Sequence, residues 1–316
     1  MTIDILLAVY NGAEYLPEQL RSLQAQTHGE WRLWVRDDGS TDGSQEVVLA
    51  AAAGDARIRP VHGGSGRLGA LGGFSWLLEH AGDGQAPYTM FCDQDDVWLP
   101  RKIELTLAAM RRAEAELGPG VPVLVHTDLQ VVDRGLGVID PSFWHYQGIE
   151  PDLDGVNRIL VQNSVTGCTA MVNRALRERA SPVPPDAVMH DWWLALVASS
   201  FGRIVPLREA TVLYRQHGRN DLGAHRTPRG LRTVPGALAA LGKAGPLRAQ
   251  LRRAALQAGA FARCFAGDLD DGQRRLLQRF AEIPECGPLE RRWRLVRLGA
   301  LMRRGLLRDI GYVLRA

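Results

Sequence analysis

Three carboxylates occur within four residues, at Asp93, Asp95 and Asp96. They follow a short apolar run, 88–92, which predicts a buried strand. Carboxylates crowded at the end of a strand repel one another, and burial makes that repulsion more costly. A divalent cation relieves it, and oxygen ligands at this spacing suit Mg²⁺ or Mn²⁺. A solvated loop that merely starts the next helix is the alternative, since Asp is a good N-cap. One Asp explains a cap, whereas three favour a metal site.

Two further polar groups stand where predicted strands end. Tyr10 and Asn11 follow the first apolar run of the chain, and Asp37 and Asp38 follow the second. In doubly wound α/β folds, ligands bind at the carboxyl ends of the strands. We therefore expect both groups to lie on the same edge as the acidic segment. A simple Asx turn is the alternative for Asp37 and its neighbours, because Asp-Gly-Ser suits such turns.

The elements that must position these groups alternate in type over the first half of the chain. Apolar runs predict strands at 3–9, 31–35, 58–62 and 88–92. Helical spacing and a Pro-led start predict helices at 15–26, 44–53, 70–80 and 100–117. This alternation predicts an α/β fold built on a doubly wound sheet.

The second half is more mixed in pattern. We expect a strand pair at 121–133, a strand at 165–172, a helix at 190–200 and short strands at 204–206 and 211–214. Gly, Pro, Arg and Ala dominate 223–245, which predicts a linker. The Leu/Arg-rich remainder of the chain predicts helices.

Composition excludes several classes of protein. The chain has 316 residues and a net charge of +3, which does not argue for nucleic-acid binding. Its four cysteines are far apart and lack a C-x-x-C spacing, so we expect reduced thiols in a cytoplasmic protein rather than a zinc site or disulfides. The sequence starts directly in a predicted strand, without a signal peptide. It has no apolar run of about eighteen residues, so we expect no transmembrane helix.

Four ordered motifs resemble those of a known family. They are Ala8-Val9-Tyr10-Asn11-Gly12, Asp37-Asp38-Gly39-Ser40-Thr41-Asp42, Asp93-Gln94-Asp95-Asp96 and His190-Asp191-Trp192-Trp193. Together they resemble the family 2 glycosyltransferases, which have the GT-A fold, a Rossmann-like mixed sheet flanked by helices, and invert the anomeric centre. The variants found here are similar to the bacterial rhamnosyltransferase-type subgroup. The resemblance implies a catalytic domain over 1–220, followed over 221–316 by a linker and a helical C-terminal region.

The resemblance also implies which residues hold the nucleotide of a UDP- or dTDP-sugar. Asp38 accepts the N3–H of uracil or thymine, with Asp37 beside it, and Tyr10 packs on the base or shapes its pocket. Arg67, in the Gly-rich loop 63–69, is a candidate for the diphosphate, with a solvated surface Arg as the alternative. The family is expected to have Asn at or near that position. The other residues assigned to the nucleotide are Asn11, Glu14, Asp93 and Gln94.

A metal would assist the departure of the nucleoside diphosphate. By resemblance Asp95 binds Mn²⁺ or Mg²⁺ directly, and Asp93 or Asp96 shares the cation or its waters. The cation stabilises the charge that develops on the phosphates. His217 completes the site, and a purely structural role for this histidine is the alternative.

Inversion requires a base on the face opposite the leaving group, and the resemblance assigns that role to Asp191. A helix N-cap is the competing interpretation, and the two roles are compatible. His190 would orient Asp191 or contact the donor phosphate. The residues expected to line the acceptor or the donor sugar are Asp128, Thr166, Gly167, His190 and Trp192.

These assignments predict a metal-dependent inverting transferase that moves a sugar, with rhamnose as the leading candidate. The acceptor is a hydroxyl of a glycan or a lipid-linked molecule in bacterial surface polysaccharide synthesis. A sugar nucleotidyltransferase is an alternative, but it needs a Gly-rich loop with a basic residue at 10–14, where the sequence has neither. A catalytically silent sugar-binding domain is the other alternative, although the acidic cluster and Asp191 are both present.

Arginines concentrate near the end of the chain, among apolar residues and Trp293. An Arg-rich amphipathic helix with Trp resembles an interfacial membrane segment. We therefore expect peripheral contact with the anionic inner face of the plasma membrane. A solvated basic face on a helix that packs against the catalytic domain is the alternative.

Overall fold

The computed structural model describes residues 2–63, 66–82, 84–152, 155–218, 244–301 and 312–313. The described strands are β1 Ile3–Val9, β2 Trp31–Asp37, β3 Ile58–Val61, β4 Tyr88–Cys92, β5 Val97–Trp98, β6 Val123–Val132, β7 Val138–Asp140, β8 Met171–Asn173 and β9 Arg203–Arg215. The described helices are α1 Leu16–Gln24, α2 Ser44–Gly54, α3 Gly69–His80, α4 Lys102–Leu117, α5 Phe143–Gln147, α6 Val156–Ile159, α7 Arg174–Ala180, α8 His190–Phe201, α9 Ala244–Cys264, α10 Asp271–Ala281 and α11 Pro288–Arg297.

One mixed sheet organises these elements, in the strand order β3-β2-β1-β4-β8-β6-β9-β5, with β7 paired to β6. The first four strands are mutually parallel, as the β-α alternation predicts. Their register brings the polar motifs together, because Val9 pairs with Asp37 and Leu7 pairs with Cys92. The residues that follow β1, β2 and β4 therefore share one edge of the sheet, as expected.

The other half of the sheet differs from the sequence-based expectation. Strand β6 is one continuous strand rather than a pair, and β9 joins the two short strands that were expected at 204–206 and 211–214. The two strands run parallel to each other over almost their whole length, with register shifts near Asp128. Pro206 and Glu209 are residue types that disfavour a strand. The long-range pairing with β6 nevertheless keeps β9 extended through both positions.

The segment expected as a strand at 165–172 begins with a turn. Gly167–Thr169 forms a single 3₁₀ turn, and only Met171–Asn173 pairs with β4 and β6. The carbonyl oxygen of Thr166 accepts hydrogen bonds from both the backbone N–H and the hydroxyl of Thr169. This local competition for the backbone explains why the strand starts late.

The C-terminal helices pack against the half of the molecule that contains the sheet. Phe261 of α9, Phe265 directly after it and Phe280 of α10 belong to the same hydrophobic cluster as Trp193 of α8. The cluster buries Leu295 of α11 as well. The linker predicted at 223–245 lies almost wholly outside the described residues. Within the described part of the chain, no helix combines the length and the hydropathy needed to cross a membrane.

Candidate active site

An open cleft of about 450 Å³ lies at the carboxyl ends of β1 and β2. Its lining contains four of the residues that the sequence assigned to a nucleotide, together with one buried arginine and two glycines: Tyr10, Arg36, Asp37, Asp38, Gly39, Gly66 and Arg67. The cleft is bounded by charged groups of both signs and by one aromatic ring.

Tyr10 is held in place by the acidic motif. Its backbone N–H donates to Gln94 Oε1 at 2.9 Å, and Gln94 Nε2 donates back to the Tyr10 carbonyl oxygen at 3.0 Å. The guanidinium of Arg67 lies 3.7 Å from the centre of the Tyr10 ring, a cation–π contact. The structure thus joins Tyr10, Gln94 and Arg67, which the sequence assigned separately to the nucleotide.

Asp38 is almost fully buried and fixes the Gly-rich loop over the cleft. Its carboxylate accepts from Arg36 and from the backbone N–H groups of Leu68 and Gly69, at 2.8 and 2.7 Å. Burial acts to raise the pKa of Asp38, but these hydrogen bonds outweigh it and hold the pKa below its ordinary value. Asp38 therefore stays ionised and ties β2 to the start of α3.

The neighbouring polar residues brace the turn. Asp37 accepts from the N–H of Gly39 at 3.2 Å, which is the Asx turn considered from the sequence, and also from the N–H and the hydroxyl of Ser40. Asn11 has a positive φ of 48° and its Oδ1 accepts from the N–H of Thr41 at 2.9 Å. Glu14 is exposed and forms an ion pair with Arg134, away from the lining of the cleft.

The acidic segment divides into two neighbouring pairs. Ligand atoms of Asp93, Asp96 and Cys168 all lie within 4.8 Å of one another. Asp95 is hydrogen-bonded to His217 instead, with 2.7 Å between Oδ2 and Nε2. The structure thus divides the predicted ligands into two sets, Asp93 and Asp96 with Cys168 added, and Asp95 with His217.

Asp96 shows the electrostatic strain that a cation would relieve. The residue is fully buried, and burial together with the charges of Asp95 and Asp93 raises its pKa well above the ordinary value. Its Oδ2 atom has no hydrogen-bond partner among the residues that the structure describes. Burial also raises the pKa of Cys168 well above its usual range, so that the anionic donors here are carboxylate oxygens. This donor set fits a hard divalent ion such as Mg²⁺ or Mn²⁺.

Two buried basic residues, Lys102 and Arg215, lie beside the acidic segment. Lys102 at the start of α4 is fully buried beside Trp98, and burial lowers its pKa to about 8. Arg215 at the end of β9 donates from its backbone N–H to Asp96 Oδ1 at 3.1 Å and from Nε to the Asp95 carbonyl oxygen at 2.9 Å. The segment is thus held to β9 as well as to β4.

Asp191 lies in the first turn of α8. Its Oδ2 accepts from the backbone N–H of Gly167 at 3.0 Å. Burial raises the pKa of Asp191 to about 7, and hydrogen bonds from the backbone of Trp192 and Gly167 act in the opposite direction. A carboxyl group with such a pKa is suited to accept a proton near neutral pH. The N-cap of α8 is Met189, so Asp191 is not the capping residue.

The 3₁₀ turn connects this carboxylate with the acidic segment. Gly167 contacts Asp191, while the next residue, Cys168, adjoins Asp93 and Asp96. A side chain at Gly167 would also meet the ring of His190, since an added Cβ would lie 3.0 Å from His190 Nε2. The turn therefore places the candidate base next to the candidate metal ligands. Thr166, directly before the turn, is half-buried.

His190 and Trp192, which the resemblance assigned to the acceptor or the donor sugar, are packed into the protein interior. The His190 ring lies between Phe74 and Phe91, and burial lowers its pKa to about 3. Trp192 is 6% exposed and donates its indole N–H to the Ile159 carbonyl oxygen.

Asp128 is buried and anchors the start of α5. Its carboxylate accepts from the hydroxyl of Ser142 and from the N–H of Trp144. The structure thus gives His190, Trp192 and Asp128 packing or anchoring contacts, and it places none of them in the lining of the nucleotide cleft.

Sequence reasoning missed four contributors to the site: Arg36, Lys102, Cys168 and Arg215. Arg36 directly follows the predicted strand 31–35 and precedes the Asp37-Asp38 pair, and a basic residue beside a buried strand and two carboxylates is a signal of a buried ion pair. Cys168 directly follows Gly167 and Arg215 lies two residues before His217, and only those neighbours were assigned to the site from the sequence. Their contacts with residues far away in the chain carry no local signal.

Comparison with known proteins places this geometry among sugar transferases. An uncharacterized glycosyltransferase of Nostoc, alr2836, is 28% identical over 232 residues, which cover 70% of this chain and 66% of that relative. The dTDP-rhamnosyl transferase RfbG of Shigella flexneri is 23% identical over 230 residues, covering 69% of this chain and 74% of RfbG.

Solved structures support the fold. A crystal structure of S. aureus TarS in complex with UDP-GlcNAc matches with a TM-score of 0.59 and 16% identity, covering 90% of this chain and 72% of TarS. The mannosyltransferase PcManGT from Pyrobaculum calidifontis, in complex with GDP-Man and Mn²⁺, matches with a TM-score of 0.52 and 17% identity, covering 94% and 73% of the two chains. The expectation of a GT-A fold is confirmed.

The family itself follows from a match that covers the first three of the four motifs. The model of the family described as Glycosyl transferase family 2 matches residues 4–176, which is more than half of the chain. These residues include the nucleotide cleft, the acidic segment and the 3₁₀ turn. The chain is a glycosyltransferase, and it belongs to glycosyl transferase family 2.

Proposed function

We propose that the protein is a metal-dependent, inverting glycosyltransferase that uses a UDP- or dTDP-sugar. It transfers the sugar to a hydroxyl group of a glycan or lipid-linked acceptor in bacterial surface polysaccharide synthesis. One observation carries the proposal: consecutive residues of a single turn, Gly167 and Cys168, contact Asp191 and adjoin Asp93 and Asp96. A base and a phosphate-binding metal site must lie this close for one displacement at a single carbon.

The nucleotide binds in the cleft at the ends of β1 and β2. Tyr10 packs against the base, and Asp37 and Asp38 lie at its polar edge. Arg67 contacts Tyr10 and lies on the loop that Asp38 fixes. We assign it to the phosphate side because its guanidinium is the exposed positive group of the cleft.

Asp95 and Asp93 are the members of the acidic segment that solvent reaches, and they would hold the metal, with His217 and Asp96 beside them. A bound Mn²⁺ or Mg²⁺ stabilises negative charge on the departing diphosphate. Asp96 is fully buried beside Asp93, so a cation held by the more exposed carboxylates would also offset its charge, and the fully buried Lys102 lies behind the segment.

Asp191 accepts the proton of the attacking hydroxyl. Its elevated pKa makes the carboxylate a stronger base than a solvated Asp, while still leaving it ionised above about pH 7. The Gly167 N–H fixes one carboxylate oxygen, which leaves the other to face the hydroxyl. The hydroxyl then attacks the anomeric carbon opposite the departing diphosphate, so that the configuration inverts.

Rhamnose from dTDP-rhamnose is the donor that we favour. The similarity to RfbG over about seven-tenths of both chains supports it. TarS, whose structure contains UDP-GlcNAc, supports a uridine nucleotide equally well at the level of the fold. Both nucleotides carry a base with an N3–H donor, which suits a site that contains carboxylates.

We also propose that the catalytic unit of residues 1–220 acts in the cytoplasm, at the inner face of the plasma membrane. The apolar side chains of Leu289, Trp293 and Val296 are exposed on α11, and Arg297 lies against the Trp293 ring. A basic and apolar helix face of this kind suits an anionic lipid surface. A lipid-linked acceptor would be found at the same surface.

A donor panel tests the proposal. The protein is incubated with Mn²⁺ and UDP-glucose, UDP-GlcNAc, dTDP-rhamnose or GDP-mannose, and thermal stabilisation and release of free nucleotide are measured. We expect a dTDP- or UDP-sugar to stabilise the protein and GDP-mannose to leave it unchanged. Stabilisation by GDP-mannose alone, or by no donor at any concentration, would overturn the proposed donor class.

A further inference from the structure

Side chains of α9, which is far away in the sequence, hold the loop that precedes the candidate base, Asp191. Val188 lies three residues before Asp191. Its backbone N–H donates to Gln257 Oε1 at 2.8 Å, and its carbonyl oxygen accepts from Arg253 Nη2 at 2.8 Å. Side chains of α9 therefore form hydrogen bonds with both backbone polar groups of Val188.

The same helix also contacts the residues after the base. The ring of Phe261 lies 5.2 Å from that of Trp193, two residues beyond Asp191, in an edge-to-face contact. Arg253, Gln257 and Phe261 follow one another at every fourth position, so they form one stripe along α9. The stripe thus contacts the chain on both sides of Asp191.

Gln257 is the central member of this stripe. It is fully buried, which makes a single hydrogen bond to it difficult to replace with water. Its other polar atom, Nε2, has no hydrogen-bond partner within the described part of the chain. Burial of an amide side chain that forms only one hydrogen bond costs free energy. That one hydrogen bond is made to Val188, in the loop before Asp191.

We infer that Gln257, assisted by Arg253, is a positioning residue for catalysis by Asp191. The inference rests on the proposed role of Asp191 as the base. The stripe fixes the Val188 peptide, and the base then enters α8 with its carboxylate aligned to the Gly167 N–H. Helix α9, which lies in the C-terminal region that follows the predicted catalytic domain, would in this way contribute to the chemical step rather than serve only as an appendage.

The test replaces Gln257 with Met, which has a similar shape but no acceptor for the Val188 N–H. Because a displacement of about 1 Å can cost up to about 10²-fold in rate, we expect turnover to fall by about tenfold or more. Turnover is measured as Mn²⁺-dependent release of dTDP from dTDP-rhamnose or of UDP from UDP-glucose. The dissociation constant for UDP should remain unchanged, since the nucleotide cleft is not touched.

Two matched variants separate positioning from general damage. Gln257→Glu keeps an acceptor oxygen and should retain more turnover than Gln257→Met. Leu256→Ala changes the exposed neighbouring position of the same helix and should behave like the parent protein. Hydrogen exchange of peptides that cover 186–192 should increase in Gln257→Met alone.

The outcomes distinguish this inference from the proposed function. Normal turnover in Gln257→Met, or unchanged exchange at 186–192, would overturn the inference. An equal loss of UDP binding and turnover would also overturn it, because that pattern indicates global damage. Normal turnover in Asp191→Asn would instead overturn the assignment of the base. If neither donor is turned over, hydrogen exchange still decides whether Gln257 holds the loop.

Discussion

At the scale of single residues, the local environment sets what each carboxylate can do. Asp38 is buried and Asp191 is half-buried, yet the pKa of Asp38 is lowered and that of Asp191 is raised to about 7. The difference lies in their partners, because Arg36 and two backbone N–H groups stabilise the anion of Asp38. Asp38 is therefore built to remain ionised, and Asp191 is built to exchange a proton.

Replacing Asp191 by Asn tests the base directly. The amide is nearly isosteric but cannot accept the proton, so turnover should fall by about 10²–10⁴-fold. Donor affinity should change little, because the lost interaction belongs to the transition state. Steady-state kinetics and UDP titration measure the two quantities. Turnover near that of the parent protein would assign the base to another residue, and Asp128→Asn would then be the next variant.

The raised pKa of Asp191 also predicts a pH dependence. The group must be deprotonated to act as a base, so turnover should be retained above about pH 7 and should fall as the pH drops through that value. A profile of kcat over a range of buffers measures this limb. The residual turnover of Asp191→Asn should not show this fall as the pH is lowered. A limb near the ordinary Asp pKa would show that the carboxylate is solvated during turnover.

At the scale of elements, short segments are positioned by strands that lie far away in the sequence. The acidic segment between β4 and β5 is held by Arg215 of β9, whose backbone and guanidinium contact Asp96 and Asp95. The 3₁₀ turn before β8 brings Gly167 to Asp191. Each contact spans a large separation along the chain, and the sheet order β4-β8-β6-β9 makes them neighbours.

Removal of the metal tests the acidic segment. Both EDTA and the substitution Asp95→Ala should abolish turnover, and Mn²⁺ should restore the parent protein but not the variant. Binding of Mn²⁺, measured by electron paramagnetic resonance, should weaken in Asp95→Ala. Asp152→Ala, which removes an exposed carboxylate paired with Arg208, is the control. Full turnover in EDTA would contradict a role for the metal.

At the scale of the whole molecule, the C-terminal helices combine packing with an exposed basic and apolar face. Leu295 of α11 is fully buried, whereas Leu289, Trp293 and Val296 are 79%, 56% and 54% exposed. Both interpretations of the Arg-rich tail therefore find support in the same helix. Deleting the tail would remove core packing, so substitutions on the exposed face give the cleaner test.

The double substitution of Trp293 and Val296 by Ser should weaken binding to phosphatidylglycerol vesicles by about tenfold or more, because it removes apolar area that would enter the interface. Sedimentation with vesicles measures the binding, and neutral phosphatidylcholine vesicles should bind the parent protein weakly. Leu256→Ser, on an exposed position of α9, is the control. Equal binding of the double variant and the parent protein would reject this membrane surface.

The sequence by itself determined the parallel half of the sheet and which polar residues meet at its carboxyl edge. Continuous apolar runs predicted the bounds of β1, β2 and β4 closely, because a buried parallel strand appears in the sequence as an unbroken apolar segment. The motifs at their ends met on one edge, as the alternation of strands and helices requires. The resemblance supplied Asp191 and His217 as partners for that edge.

Only the tertiary structure decided which of these groups touch and what supports them. The length of β6 and β9, the late start of β8 and the burial of Lys102 depend on pairing between distant segments, which local propensity does not encode. The same holds for Cys168 beside Asp96 and for Gln257 on the Val188 peptide. A residue's type fixes the chemistry that it can perform, but its pKa and its partners arise from burial, and burial is set by the fold as a whole.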